Sequence, residues 1–537
     1  MLDVRELKAQ DLQGLSDVAA HRVIEHIQRL SRDIALRDAK LEKLNFELAR
    51  LKRWRFAAKT EAMNAEQRRL FEETLVEDEA SLQAQLQALQ ALQAKLPAEP
   101  QTDAQPKRKP RRQALPEHLK RVEHRHEPED THCPNAECGR PMVRVGEDVS
   151  EKLDIVPAEF FVQRHVYGKW ACKCCERLVQ EPVQPQIIDG GMPASGLLAH
   201  TLISRFVDHL PYYRQETINA RSGVRTPRST LAAWAGRSGA APGPLYEAHR
   251  RFVLQARVLH ADETPVALLD PGAGKTRRAY VWAYARGVFD EAPAVIYEFC
   301  LGRGSQYPIA FLASKGSPHD QAERRAWQGT LVRDEYKAYA SVLDARTQAG
   351  RIAAGCLAHA RRMFDELLKD GVSAIAPEAI RRIAAIYRVE REGVNMNTEQ
   401  RLAMRQTMAK PLWDELHAWL SLERQWVADG GAIAQAIDYS LNHWQALSRN
   451  LHDGAVPVDN NHLENLIRPW AMGRKAWLFA GSELAGQRAA IVMSLVQSAK
   501  LNGVDPWAYL RDVLVRLPTQ LNSRIEDLLP HRRKPQG

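Results

Sequence analysis

Between Ala256 and Ala354 the chain repeats one pattern, in which short runs of apolar, β-branched and aromatic residues alternate with polar or helical stretches. "ARVLHADETPVALL", "RRAYVWAYARG" and "AVIYEF" read as three strands, with a polar helix after them. "TLVRD" reads as a further strand, and "RIAAGCLAHARRMFDELL" as a strand running into a helix. Strands alternating with helices predict an α/β layer structure. Acids interrupt this apolar pattern. Asp262 is embedded in the first strand, and Asp334 and Glu335 stand where the "TLV" strand ends. An acid at the end of a buried strand is costly unless something pairs with it.

From about Asp370 to Leu451 the chain reads as helical, with Trp413, Leu416, Trp419 and Leu420 on one face. "VDNNHLENLIRPW" follows, in which Asp459 or Asn460 suits a helix N-cap. Asn460, Glu464 and Arg468, four apart, share one face of that helix, while Leu463, Ile467 and Trp470 form the apolar face. Separate elements therefore carry Asp262, Asp334 and Glu464. If the three converge, they repel one another unless cations neutralise them. Mg²⁺, a hard ion with oxygen ligands, suits such a set. A pair of ions about 4 Å apart would activate an attacking oxygen and stabilise a leaving one at phosphorus. Spacing alone does not require convergence. Asp262 capping a turn and Glu464 pairing with Arg468 are the competing readings.

The rest of the 537-residue chain divides by composition. Val23, Ile27, Leu30, Ile34, Leu41, Leu44, Leu48 and Leu51 form a heptad seam in which Arg37 is the polar slot. A second helical stretch runs from Leu82 to Leu96, so a helical hairpin or a paired coiled coil is expected. Residues 97–116 are proline-rich and aperiodic, a linker carrying the basic tract Lys107, Arg108, Lys109, Arg111 and Arg112. Cys133 and Cys138 are spaced C-x4-C, and Cys172 and Cys175 form a CxxC, the pattern of a closed tetrahedral zinc site. Cys174 is surplus to that set, and His132 or His165 competes as a ligand. Between Tyr212 and Trp234 two helices are expected around a turn at Gly223, the second capped by Thr226 or Ser229. Arg225 and Arg228 would then stand where a helix-turn-helix meets base edges. With 75 Lys+Arg against 66 Asp+Glu, the net charge of +9 leans toward a polyanionic partner. No run of about 18 apolar residues suggests a membrane span, and "MLDVRELKAQ" lacks a signal-peptide pattern. A cytoplasmic location is expected.

"ADETP", "VRDEYKAY", "GCLAHARRMF" and "VDNNHLENLIRPW…GRKAWLFAGS" resemble the transposases of the IS-sixty-six group of bacterial insertion sequences. "RFAAKTEAMNAEQRRLFEE" is similar to that family's N-terminal helical region, the cysteine segment to its zinc-binding segment, "DHLPYYRQE…STLAAW" to its central helices, and "AKLNGVDPWAYL" to its C-terminal element. The C-x4-C pair departs from the family's usual CxxC.

The resemblance implies a multidomain α plus α/β protein with a ribonuclease-H-like catalytic domain. Its parts would be helical coiled-coil residues 1–96, basic linker 97–125, zinc-binding module 126–185 and helix-turn-helix-like DNA-binding segment 186–250. The catalytic domain would span 251–369 and 452–500 around a helical insertion, 370–451, with a C-terminal element at 501–537. Asp262, Asp334 and Glu464 fall on the family's DDE positions, with Asp459 and Glu335 as close rivals. They would hold two Mg²⁺ or Mn²⁺ ions, alongside one structural Zn²⁺. Arg468, Arg474 and Lys475 would hold DNA phosphates, and His359, Arg361 and Arg362 would join them. The implied partners are double-stranded DNA (the element's terminal repeats and a target), a second copy in a homodimer, and helper proteins. The implied reaction is cleavage at the element's end followed by strand transfer. The alternatives are a nuclease or junction resolvase that does not join strands, and a DNA-binding protein without catalysis.

Overall fold

The computed structural model describes residues 65–93, 119–128, 130–132, 140–156, 159–270, 275–313, 326–343, 350–371, 373–477 and 480–533, with 40, 41, 43–45, 47, 48, 117 and 138. The basic tract Lys107–Arg112, Cys133, and the seam residues Val23, Ile27, Leu30, Ile34, Arg37 and Leu51 lie outside them. No helix among the described residues is long and apolar enough to cross a membrane.

Helix α1 (Ala65–Gln93) is followed by a small sheet of β1 (Lys120–His126), β2 (Val143–Val156), β3 (Glu159–Ala171) and β4 (Leu178–Gln180). β2 and β3 form a long antiparallel hairpin; β1 runs parallel to β3 on its other side, and β4 pairs with the last residues of β3. Four helices come next: α2 (Ser195–Phe206), α3 (Tyr212–Arg221), α4 (Arg228–Ala240) and α5 (Gly243–Val253). Gly223 takes a left-handed φ of 76° in the turn before α4, a conformation glycine adopts at little cost.

The larger sheet has the order β7-β6-β5-β8-β9. β5 (Val258–Asp270), β6 (Lys275–Arg286) and β7 (Val295–Cys300) form an antiparallel meander. After α6 (Gln306–Leu312), β8 (Gly329–Val332) adds parallel to β5; after α7 (Ala338–Val342), β9 (Arg351–Ala354) adds parallel to β8. The continuous apolar run in β6 has a simple cause. Val281, Ala283 and Ala285 face one core and Trp282 and Tyr284 another, so alternate residues are buried on both faces.

β9 leads into α8 (Leu357–Lys369), then α9 (Ile375–Glu392), α10 (Thr398–Met404), α11 (Lys410–Arg424), α12 (Ala432–Asn442) and the short α13 (Trp444–Leu447). These helices share a core of their own that includes Phe364, Ile386, Trp413, Leu416, Leu420 and Ile437. Arg405 clamps this body to the loop beyond it. It is fully buried, pairs with Glu390 at 2.6 Å, and donates through Nη1 to the carbonyls of Asn450, Asp453 and Val456. The chain closes with α14 (Asn461–Trp477), α15 (Glu483–Leu501) and α16 (Pro506–Arg516).

Leu44 is buried with Leu75, Leu82 and Leu86 of α1 and with Leu269 of β5, and Leu41 and Leu48 pack beside them. At these positions the seam folds back on its own chain, as the hairpin reading has it. α4 packs into the fold beyond its first turn. Leu231, Ala232, Trp234, Ala235, Gly236, Ser238 and Gly239 are all buried, which leaves only its first turn to meet a partner. Gly236 touches the backbone of Glu77 in α1, and Arg488 of α15 lies against Gly239. Pro227 occupies the N-cap, without the side-chain cap expected from Thr226 or Ser229.

Candidate active site

The parallel register pairs Val258 with Thr330, Leu259 with Leu331 and His260 with Val332, and there β8 stops. Two residues further along each chain stand Asp262, still on β5, and Asp334, in the loop after β8. β5 runs on past its neighbour, so a notch opens at that edge. Asn460 secures the start of α14 over it. This fully buried side chain donates from Nδ2 to the Ala261 carbonyl at 3.1 Å, and its Oδ1 lies 2.7 Å from Nδ1 of His260. Its backbone N–H donates to Sγ of Cys356. Glu464 stands one turn further along α14, its apolar anchors Leu463, Ile467 and Trp470 all buried beneath.

The charges in the notch act on one another. Burial first, then Glu263 and Asp334, push the Asp262 carboxyl up to about 8, and Glu464 adds to the rise. Opposing them, the Glu263 N–H donates to Asp262 Oδ1 at 2.8 Å. Asp334 Oδ1 accepts the Tyr336 N–H at 3.1 Å. Among the described residues neither aspartate forms an ion pair. Glu464 does, with Nη2 of Arg362 at 3.3 Å and Nδ1 of His359 at 3.6 Å. Among the described groups, the oxygens of the three acids do not all come within 4.8 Å of one another; the donors of Cys356, His359 and Glu464 do. Cys356 is a poor ligand, because burial pushes its thiol up to about 12 and keeps it protonated. Asp262 and Asp334, hard oxygen donors without an ion pair among the described residues, fit a divalent ion better.

The rival acids have partners. Glu335 pairs with Arg333 at 2.6 Å and His443 at 3.0 Å. Asp459 accepts the Tyr387 hydroxyl at 2.7 Å and the Asn461 N–H at 3.0 Å, which makes it a brace at the entry to α14. Glu263, which the sequence pattern does not single out, points to the other face of β5. There its buried carboxylate takes Arg303 Nε at 2.6 Å and the Tyr339 hydroxyl at 3.0 Å. Strand alternation marks its direction, but its partners come from elements far along the chain. Of the expected phosphate-binding cations, Arg468, Lys475, Arg361, Arg362 and Arg225 are exposed and Arg228 is half-buried. Arg474 is engaged within the fold. Its Nη1 donates to the Pro265 carbonyl at 2.7 Å, strapping the last turn of α14 to β5.

In the small sheet the sulfurs of Cys138, Cys172 and Cys175 lie within 4.8 Å of one another, Cys138 and Cys172 being 3.7 Å apart. Three convergent thiols around the end of β3 fit zinc, whose structural sites take such ligands. Cys174 is exposed, outside this group, and the neighbouring Cys138 raises its thiol. His165 is engaged on its own sheet, its Nδ1 3.0 Å from Nε2 of His126. His132 lies 2.8 Å from Asp130.

Acids at the edge of a mixed sheet, on a chain with a cluster of thiols and a surplus of cations, have the build of a nucleic-acid-processing enzyme. Comparison with known proteins narrows this. Residues 190–488 match the Transposase IS66 family, 494–531 the IS66 C-terminal element, 130–176 the zinc-finger binding domain of transposase IS66, and 43–123 the Transposase C of IS166 homeodomain. The chain belongs to the IS66 transposase family. Similar proteins occur in Sinorhizobium fredii (strain NBRC 101917 / NGR234). Uncharacterized protein y4jD is 36% identical over 426 residues, 78% of this chain and 81% of the relative. Uncharacterized protein y4qI is 36% identical over 441 residues, 80% and 79% of the two chains. Uncharacterized protein y4hP is 33% identical over 412 residues, 73% and 72%.

Proposed function

We propose that the chain is a DDE transposase that cleaves DNA at the ends of its insertion sequence and joins the freed 3′ ends to target DNA. Asp262, Asp334 and Glu464 are its catalytic carboxylates. The observation that carries the reading is the placement of Asp262 and Asp334 side by side at the β5–β8 edge, without an ion pair among the described residues, beside the acid-bearing α14. The mixed sheet with its antiparallel meander and two parallel additions supports a ribonuclease-H-like catalytic domain, and the separate core of α8–α12 supports an insertion between the second and third acids.

Two Mg²⁺ or Mn²⁺ ions, when bound, would activate the attacking oxygen and stabilise the leaving one. The chain's own residues do the rest. Asp262 must give up its proton to act as a ligand, so cation binding releases protons near neutral pH. Asn460 sets the height of α14 over β5 and hence where Glu464 reaches. Glu464 must leave His359 and Arg362 to join the aspartates, which frees Arg362 for a phosphate. Arg468 and Lys475 face outward for DNA, and Arg474 keeps α14 on the sheet. In the first step water attacks phosphorus and the P–O3′ bond breaks, leaving a 3′-hydroxyl. In the second, that hydroxyl oxygen attacks a target phosphorus and displaces the target's own 3′ oxygen.

Zinc, held by Cys138, Cys172, Cys175 and Cys133, is structural. Working on two ends at once calls for a homodimer on DNA, and the substrate places the protein with the bacterial nucleoid. The test is incubation of the pure protein with its element's end and Mg²⁺. Products joined to target DNA are expected. Cleavage without joining would favour a nuclease or resolvase, and no metal-dependent cleavage a DNA-binding protein.

A further inference from the structure

The helices α8 and α9 enclose a groove of which the proposed chemistry uses only Arg362. Each lines it with the same helical spacing of i, i+3, i+4 and i+7. On α8 these residues are Ala358, Arg361, Arg362 and Asp365; on α9 they are Ala384, Tyr387, Arg388 and Arg391. The alanines leave room at the floor and the four arginines stand over it. Arg361, Arg388 and Arg391 are exposed and form no ion pair among the described residues. The one acid in the lining, Asp365, is paired with Lys369 at 2.7 Å. This contrasts with the two arginines deeper in the same helical body. Arg405 is paired with Glu390, and Arg401 donates to the carbonyls of Gly393 and Gly454. With Arg362 already on Glu464, Arg361, Arg388 and Arg391 leave three like charges in one groove, which repel unless an anion lies between them. A guanidinium's fork matches the oxygens of a phosphate.

The groove leads to the acids. Arg362 in its wall bonds Glu464, and Asn461, in the first turn of α14, lines it. Tyr387 fixes α9 to this end through its 2.7 Å bond to Asp459. We infer that the groove between α8 and α9 is a second DNA-binding site, which holds backbone phosphates of the duplex adjoining the cleavage point. The helical insertion is then a DNA-binding arm as well as a spacer between two catalytic acids. This inference rests on the transposase reading above.

The experiment is a salt titration of binding to a duplex that carries the element's end and its flank, with full-length protein. It compares wild type, Arg388→Gln/Arg391→Gln, and a control pair that removes the same charge far from the groove, Arg516→Gln/Arg524→Gln. Loss of two phosphate contacts should make the slope of log K against log salt shallower by about 2 and weaken binding several-fold. The melting temperature should not change, because both groove residues are exposed. A slope equal to wild type in the groove variant overturns the inference, as does an equal change in the control pair. If wild type itself fails to bind the end, the transposase reading falls with it; wild-type binding with an unaffected groove variant removes the groove alone.

Discussion

Glu263 and Asp262 are adjacent carboxylates with opposite surroundings. Asp262 faces the other acids of the notch without a cation, whereas Glu263 is held by Arg303 and Tyr339. The two should therefore respond differently to neutralisation. Glu263→Gln keeps the Tyr339 bond and loses the ion pair, at an expected cost of about 1–3 kcal/mol in stability, with cleavage retained. Asp262→Asn relieves repulsion, so it should fold as well as wild type and not cleave. Denaturant melts beside a nicking assay separate these outcomes, and loss of cleavage in a well-folded Glu263→Gln protein would move the catalytic role to Glu263. The sequence marks Asp262, embedded in a strand, and Asp334, at a strand's end, because an acid in a buried strand stands out against its apolar neighbours. It does not mark Glu263, whose partners lie 40 and 76 residues away. Nor does it show that His260 and Asn460, 200 residues apart, meet beneath the notch.

At the scale of elements, periodicity shows the strands of the large sheet and the apolar face of α14. It is silent on what covers a helix. The sequence does not show that α1 and α15 pack on α4 beyond its first turn. Gly236 is what lets α1 come so close, so Gly236→Ala should force the two helices apart and lower stability by about 1–3 kcal/mol, measured by urea denaturation. The same docking buries Glu73, whose carboxyl burial pushes up to about 7, against the pull of Arg205. A carboxyl raised in the folded state favours folding while it is protonated. That contribution is whole below about 4 and is lost as pH rises through about 7. Glu73→Gln should accordingly gain stability over wild type at pH 8 and little at pH 4, and an equal difference at both would refute the assignment. In the zinc module, Cys172→Ser or Cys175→Ser should lose bound zinc by elemental analysis, and Cys174→Ser should keep it. Loss of zinc on changing Cys174 alone would reassign the ligand.

For the whole molecule, family membership accounts for the order of its parts, while their docking follows from residues far apart in the chain. Arg488 in α15 pairs with Glu77 at 2.9 Å and Asp78 at 2.7 Å in α1, so the N-terminal helix is tied to the element that backs the catalytic sheet. Leu41, Leu44 and Leu48 pack against their own chain, which favours the hairpin reading of the seam at these positions. Light scattering should find that changing Leu44 to Asp destabilises the protein without altering its oligomeric state on DNA; dissociation of an otherwise folded complex would restore the seam as the interface. The central claim is that Asp262, Asp334 and Glu464 together cut DNA. It is tested most directly by single-turnover cleavage of the element's own end in Mg²⁺, comparing wild type with Asp262→Asn, Asp334→Asn and Glu464→Gln, all shown to bind that end. Cleavage by wild type and a loss of at least about 100-fold in each variant is the predicted result. Cleavage at the wild-type rate by any one of the three would contradict it.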